Sequence, residues 1–211
     1  MKRIPCCIAL LGSVALLATA ASSATAQEQK RPEGWITRFD RAGQADTAVL
    51  LVDMPPGWHV TSGPSGIHYD PRQTAQGNFR LEAPIFLFPD SREREAFGVF
   101  FGGRNLQGDE QAYSYFLIRG DGSFLVKRRD GSRTPVVVDW TQHDAVEPKK
   151  TEGQAKNTLA VEAGPDTVEF FVNDAKVASV PRSDLLVDGV VGLRVNHGLN
   201  LHITTLEVTR K

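Results

Sequence analysis

Residues Asn157 to Val208 read NTLAVEAGPDTVEFFVNDAKVASVPRSDLLVDGVVGLRVNHGLNLHITTLEV, and the alternation in this stretch decides the fold class. Leu159 and Val161 alternate with Ala160 and Glu162. Val168, Phe170 and Val172 alternate with Glu169 and Phe171. Further on, Leu193 and Val195 alternate with Arg194 and Asn196, and Leu199, Leu201 and Ile203 alternate with Asn200, His202 and Thr204. A period of two broken by turn residues marks half-buried antiparallel strands. Gly164-Pro165, Asn173-Asp174, Asp188-Gly189 and His197-Gly198 supply the turns, so about four strands are expected here.

The same pattern extends upstream. Trp35, Thr37 and Phe39 suggest a first short strand, Ala48 to Val52 a second, and Trp58 to Thr61 a third after Pro55-Pro56-Gly57. Ile67 to Asp70 is a further extended segment, ended by Pro71. Phe79 and Leu81 point opposite to Arg80 and Glu82, and Ile85 to Phe88 follow Pro84. Phe97 to Phe101 is apolar on both faces, as in a central strand, and Gly102-Gly103 allows a bend after it. Tyr113 to Arg119 and Phe124 to Arg129 flank Gly120-Asp121-Gly122-Ser123, a hairpin signal, and Val136 to Trp140 makes the next strand. Residues 144–157 read as a surface loop. The one helical candidate, Ser91 to Ala96, spans about a turn and a half, too short to stand alone.

The chain begins with the three-part pattern of a secretory signal. Lys2 and Arg3 are basic, Ile8 to Ala21 is a short apolar run, and Ala24-Thr25-Ala26 is a small-x-small cleavage site. Residues 1–26 are therefore expected to be a signal peptide, 27–34 a flexible leader, and 35–211 one domain of an exported, periplasmic or secreted protein. Both cysteines, Cys6 and Cys7, lie in the signal, so the mature domain relies on its core and not on disulfides. A single domain of this length buries roughly 70% of its unfolded surface, which is enough. Without Lys2 and Arg3 the 24 basic residues fall to 22 against 25 acidic ones, a net charge of −3. That balance implies no basic face and argues against a nucleic-acid partner. No later stretch is apolar enough for a membrane span.

Tyr-x-Tyr-Phe-Leu-Ile-Arg-x-Asp-Gly-Ser-Phe at 113–124 is followed by Asn157-Thr158-Leu159-x-Val161, by Phe171-Val172-Asn173-Asp174, and by Asp188-Gly189-x-Val191-Gly192-Leu193-Arg194. This order resembles the concanavalin A-like lectin/glucanase superfamily, in particular the laminin-G-like group that includes the 3-keto-disaccharide hydrolase domains. The resemblance covers roughly residues 35–210. It implies an all-β, concanavalin A-like jelly-roll sandwich of two antiparallel sheets. The opening L-F-N-G-x-D-L-x-G-W of those hydrolases has only a faint echo in Gly34 to Asp40, and the glucanase E-x-D-x-x-E strand is absent. The catalytic residues of either group therefore have no position to map onto, and none is assigned.

Three functions remain open: a non-catalytic glycan-binding domain, a glycoside-cleaving enzyme, and a structural or protein-binding module. A carboxylate pair for hydrolysis would draw on Glu82, or on Glu162 and Glu169 facing each other across a hairpin. Like charges directly opposite would repel unless paired or solvated, so a solvated outer face is the simpler account. His59, His68, His143, His197 and His202 are scattered without a zinc-binding spacing. No cofactor is assigned; calcium would have to use loop carboxylates such as Asp70, Asp139 and Asp144.

A glycan or small saccharide is the best-supported ligand class, because a sugar offers an apolar ring face and a rim of hydroxyls. The candidate ligand-binding residues are Trp58, Tyr69, Arg104, Asn105, Tyr113, Tyr115, Trp140, Arg194, Asn196 and His197. They are expected to gather on the concave sheet and the loops at its ends.

Overall fold

The computed structural model describes residues 30–211. The expected signal peptide and the first three residues of the expected leader lie outside the described residues. Of the remaining leader, Pro32 is buried and the Lys30 carbonyl accepts a hydrogen bond from the Asp53 amide at 2.9 Å.

Sixteen strands pair into two antiparallel sheets, with two single-turn 3-10 segments, Asp46–Ala48 and Arg182–Asp184. Sheet A contains β1 (Ile36–Phe39), β4 (Gly66–Tyr69), β5 (Thr74–Ala75), β7 (Ala96–Arg104), β8 (Ala112–Arg119), β9 (Ser123–Asp130), β10 (Val136–Gln142) and β14 (Gly189–Val195). Its strand order is β1-β4-β14-β7-β8-β9-β10, with β5 also pairing β14. Sheet B contains β2 (Val49–Asp53), β3 (Trp58–Ser62), β6 (Phe79–Leu87), β11 (Ala155–Ala163), β12 (Thr167–Val172), β13 (Ala175–Pro181), β15 (Asn200–Ile203) and β16 (Glu207–Arg210). It runs β13-β12-β11-β6-β15-β3-β2, with β16 also pairing β6. The expected all-β sandwich of two antiparallel sheets is what the chain forms.

The stretch Asn157–Val208 holds six strands, two more than the alternation predicts. The additional ones are β13 and β16, both with few buried residues. An edge strand with little to bury has no need of the apolar half of the pattern, so periodicity misses it. The β12–β13 turn is as expected: Asn173 and Asp174 both take positive φ, 49° and 66°, as a two-residue hairpin turn requires.

Pro84 does not break its segment; β6 runs through it from Phe79 to Leu87. On one side of β6, β15 pairs with Ile85–Leu87 and β16 with Phe79–Glu82, leaving residues 204–206 as an unpaired step between them. The amide hydrogen that proline lacks falls at that step, where no ladder bond needs it. Ser91 to Ala96 forms turns leading into β7, not a helix.

The main core lies between the sheets. Phe79, Leu81, Ile85 and Leu87 of β6 meet Phe97, Val99 and Phe101 of β7, with Phe116, Phe170, Val191 and Leu193 around them. Phe116 and Phe170 sit 5.1 Å apart across the two layers. A second buried cluster lies on the other side of sheet A: Ile67, Tyr69, Phe100, Tyr113, Tyr115, Leu117 and Leu125. Both faces of β7 and β8 are therefore covered, which is why Phe97–Phe101 reads as apolar throughout.

Candidate functional site

Residues paired directly across neighbouring strands share a face, so the outer face of sheet A can be read row by row. One row runs Arg38, Ile67, Arg194, Gly98, Leu117, Leu125. The adjacent row contains Gly192, Phe100, Tyr115 and Lys127. Tyr113 pairs with Arg129, and Ala96 with Arg119, on the same face.

The aromatic side chains form a floor. Tyr69 meets Phe100 edge-on at 6.0 Å, Phe100 lies 5.3 Å from Tyr113, and Tyr113 lies 5.6 Å from Tyr115. Gly192 makes room for it: a Cβ there would lie 2.7 Å from the Tyr69 Cβ and would collide with the Phe100 ring. Tyr113 is 1% exposed and Tyr115 8%. Burial pushes the Tyr113 phenol up and the Tyr115 phenol up to about 12, so both keep their protons at neutral pH. Gln107 donates to the Tyr69 hydroxyl at 2.5 Å, bringing the loop after β7 down over one end of the floor.

Arg194 lies over the floor with its side chain 11% exposed, and its guanidinium forks onto Asp40: Nη1 donates to Oδ1 at 2.8 Å and Nη2 to Oδ2 at 2.6 Å. Burial works against its charge, but the neighbouring Tyr113 and Asp40 groups raise its pKa above the usual arginine value. Around this pair stand Arg38, Arg129, Lys127 and Arg119. The Arg119 guanidinium is stacked 3.4 Å above the centre of the Trp140 ring.

The face ends in two cavities. One, of about 570 Å³, lies under the loop from Gly103 to Glu110 and is walled by Ile36, Tyr69 and Val190. The other, of about 380 Å³, lies among Asp40, Arg41, Gln44, Pro64, Ser65 and His197.

Of the sequence-derived candidates, Tyr69, Tyr113, Tyr115, Trp140 and Arg194 come together on this face. Arg104 and Asn105 line the first end cavity, and Asn105 holds a positive φ of 51°. His197 lines the second, with Nε2 2.9 Å from Glu95 Oε1 and Nδ1 3.3 Å from Ser65 Oγ. Asn196 contributes through its backbone, its amide donating to the Ala96 carbonyl at 2.9 Å and its carbonyl accepting from Ser62 Oγ at 2.5 Å. Trp58 stands apart on β3 of sheet B, 4.7 Å from Trp35 and packed against the main core. Arg38, Asp40, Arg119, Lys127 and Arg129 were not singled out by the sequence reading. For the four cations the signal was a basic residue out of phase with the core-facing positions of its strand, as in Phe124-Leu125-Val126-Lys127-Arg128-Arg129; Asp40, just after β1, carried none.

No family model matches the chain, and no curated protein matches its sequence. Among solved structures, the carbohydrate-binding module CBM66 from Bacillus subtilis superposes with a TM-score of 0.61 at 15% identity, over 83% of this chain and 94% of that one. The Bacillus licheniformis beta-glucanase gives 0.61 at 11% identity over 86% and 95%. A protein of unknown function with a galectin-like fold, also from Bacillus subtilis, gives 0.61 at 9% over 83% and 89%. The chain has the concanavalin A-like lectin/glucanase fold.

On the opposite face of this concanavalin A-like sandwich, Glu162 and Glu169 do stand directly across from each other on β11 and β12. Cations engage both: Arg80 Nη1 and Lys211 Nζ each lie 2.6 Å from Glu162, and Lys176 Nζ lies 3.1 Å from Glu169. Glu82 is held by Arg80 at 2.7 Å. The salt bridges hold the Glu162 carboxyl below the usual range. A general acid needs the opposite shift.

His59 and His202 are cross-strand neighbours on sheet B with ring centres 6.4 Å apart. His68 is fully buried in sheet A, where desolvation lowers its pKa to about 3. The Asp70 carboxylate accepts from Arg72 through both oxygens, and Asp139 Oδ1 accepts from the Trp140 amide at 2.8 Å. Asp144 is exposed. Among the described residues, no three His, Cys, Asp or Glu side chains gather as a metal centre would require. No helix among them is long and apolar enough to cross a membrane.

Proposed function

We propose that this is an exported, non-catalytic glycan-binding domain whose binding surface is the outer face of sheet A. The observation that carries the reading is the gathering of Arg38, Arg119, Lys127, Arg129 and Trp140 on the face of sheet A turned away from the main core. Such a face offers an array of hydrogen-bond donors over a closed aromatic floor, and the hydroxyls of a chain of sugar rings need such donors. The structural likeness to a carbohydrate-binding module supports the same reading.

A second reading, a structural module without a sugar site, is favoured by one feature: Phe100 and Tyr113 are closed over by their own neighbours and offer no stacking platform. The test is a calorimetric binding screen against a panel of soluble polysaccharides, with and without calcium, each mixture checked for cleavage. Saturable binding without products, lost in Arg38→Ala and Trp140→Ala but retained in Arg80→Ala on the opposite sheet, is expected. Silence across the panel would leave the structural module, and release of products would overturn the non-catalytic reading.

A further inference from the structure

The charge on the sheet A face narrows what it takes, and this step rests on the glycan reading above. Arg38, Arg119, Lys127 and Arg129 enter none of the ion pairs formed among the described residues. Arg194 is matched by Asp40, so the matched pair sits at the centre and the unmatched cations surround it. The chain as a whole is nearly neutral, with a net charge of −1, so the positive character of this face comes from these particular side chains and not from a generally basic protein.

The cations also span a distance. From Arg38 on β1 to Lys127 and Arg129 on β9 the sheet order passes through β4, β14, β7 and β8, five strand-to-strand steps of about 4.8 Å, or about 24 Å in all. A single small anion needs one pocket; a stripe of this length suits an extended chain. Arg119 is already oriented, flat on Trp140, with its Nε buried and unpartnered. Guanidinium groups pair with carboxylate or sulfate oxygens through two parallel N–H donors, a geometry that a neutral hydroxyl uses less fully. The rings that would stack on a neutral sugar are largely covered, whereas the four cations are partly exposed. We infer that this face binds an anionic polysaccharide, one that carries carboxylate or sulfate groups along its length.

The experiment compares polygalacturonate and dextran sulfate with neutral galactan and mixed-linkage β-glucan, at low and high NaCl, using the full chain and its Lys127→Ala/Arg129→Ala variant. A single-stranded DNA oligomer serves as the non-saccharide polyanion. Preferential binding of an acidic polysaccharide, weakened at least about tenfold by high salt and by the double substitution with no change in melting temperature, is expected. Equal binding of neutral and acidic chains, unaffected by the substitutions, would overturn the anionic reading while leaving glycan binding intact. DNA bound as tightly as the acidic polysaccharides would overturn glycan selectivity. Failure of all polysaccharides would overturn both this inference and the glycan reading.

Discussion

On the outer face of sheet B, Arg80 reaches Glu82 and Glu162, Lys211 closes on Glu162, and Lys176 on Glu169, so each of these cations has its acid within 3.1 Å. On the outer face of sheet A, Arg38, Arg119, Lys127 and Arg129 have no carboxylate partner among the described residues, and in the one pair, Arg194 with Asp40, the arginine is the more buried member. The two faces are built from the same kind of strand with the same period. Their difference is that Glu82, Glu162 and Glu169 on one face are each met by a cation, while on the other four cations have no carboxylate and Arg38 and Arg129 turn in part to the Phe39 and Gly131 carbonyls. The first face ties Lys211, just after β16, to the sheet; the second is the one proposed above to take a glycan.

The comparison breaks most visibly at Arg194. Arg194→Ala removes a side chain only 11% exposed from over Tyr113 and Tyr115 and leaves the more exposed Asp40 without its counter-charge, so a loss of about 2 kcal/mol in urea-denaturation stability is expected. Arg80→Ala leaves Glu162 still paired with Lys211 on a partly solvated face, and about 1 kcal/mol is expected from the same measurement. Equal losses would mean that the sheet A pair is no more buried in energetic terms than the sheet B network.

A pH titration sharpens the contrast between the two sides of sheet A. His68 faces the side where a positive charge is not accommodated. In the unfolded chain it protonates near 6.5, and in the folded one only near 3. Between those values the unfolded state binds the extra proton, so stability falls as pH drops. From pH 7 to 4.5 the His68 contribution alone is expected to cost about 2–3 kcal/mol. Asp70 and Glu162, with lowered carboxyl pKa values, lose their contribution only at lower pH. Denaturation curves at pH 7 and 4.5 should therefore show a slope that His68→Gln flattens; an unchanged slope in that variant would place the sensitivity elsewhere.

The smallest expected effect is on the stability of Lys127→Ala, which should stay within about 0.5 kcal/mol of the parent by thermal denaturation. A larger loss would show that Lys127 supports the fold and is not simply presented.

Much of the fold was legible because burial on one side of a strand forces a period of two. Leu193/Val195 and Leu199/Leu201/Ile203 announced β14 and β15 in this way, and Gly120-Asp121-Gly122 announced the β8–β9 hairpin. β13 and β16 were not legible, because strands with little to bury carry little pattern. Pro84 looked like a break, since only the neighbouring strands reveal that its missing amide falls at an unpaired step. Within the candidate site, Tyr113 and Tyr115 could be placed on one face by their spacing alone. Their burial could not, because it depends on Arg194 and on the floor they share with Phe100.

The sequence by itself determined that the chain is all-β, that its strands are antiparallel and short, that Arg194 lies opposite Leu193 and Val195, and that Tyr113 and Tyr115 share one face of their strand. Those properties follow from local chemistry: side-chain alternation, turn residues and the absence of helical periodicity. Tertiary structure alone decided that Trp58 belongs to the other sheet, that Glu162 and Glu169 are neutralised, and that Arg38, Arg119, Lys127 and Arg129 share one face. Charge partnership depends on which strands become neighbours. Here Arg38 and Arg194, 156 positions apart, share a row through Ile67, a proximity that linear spacing does not encode.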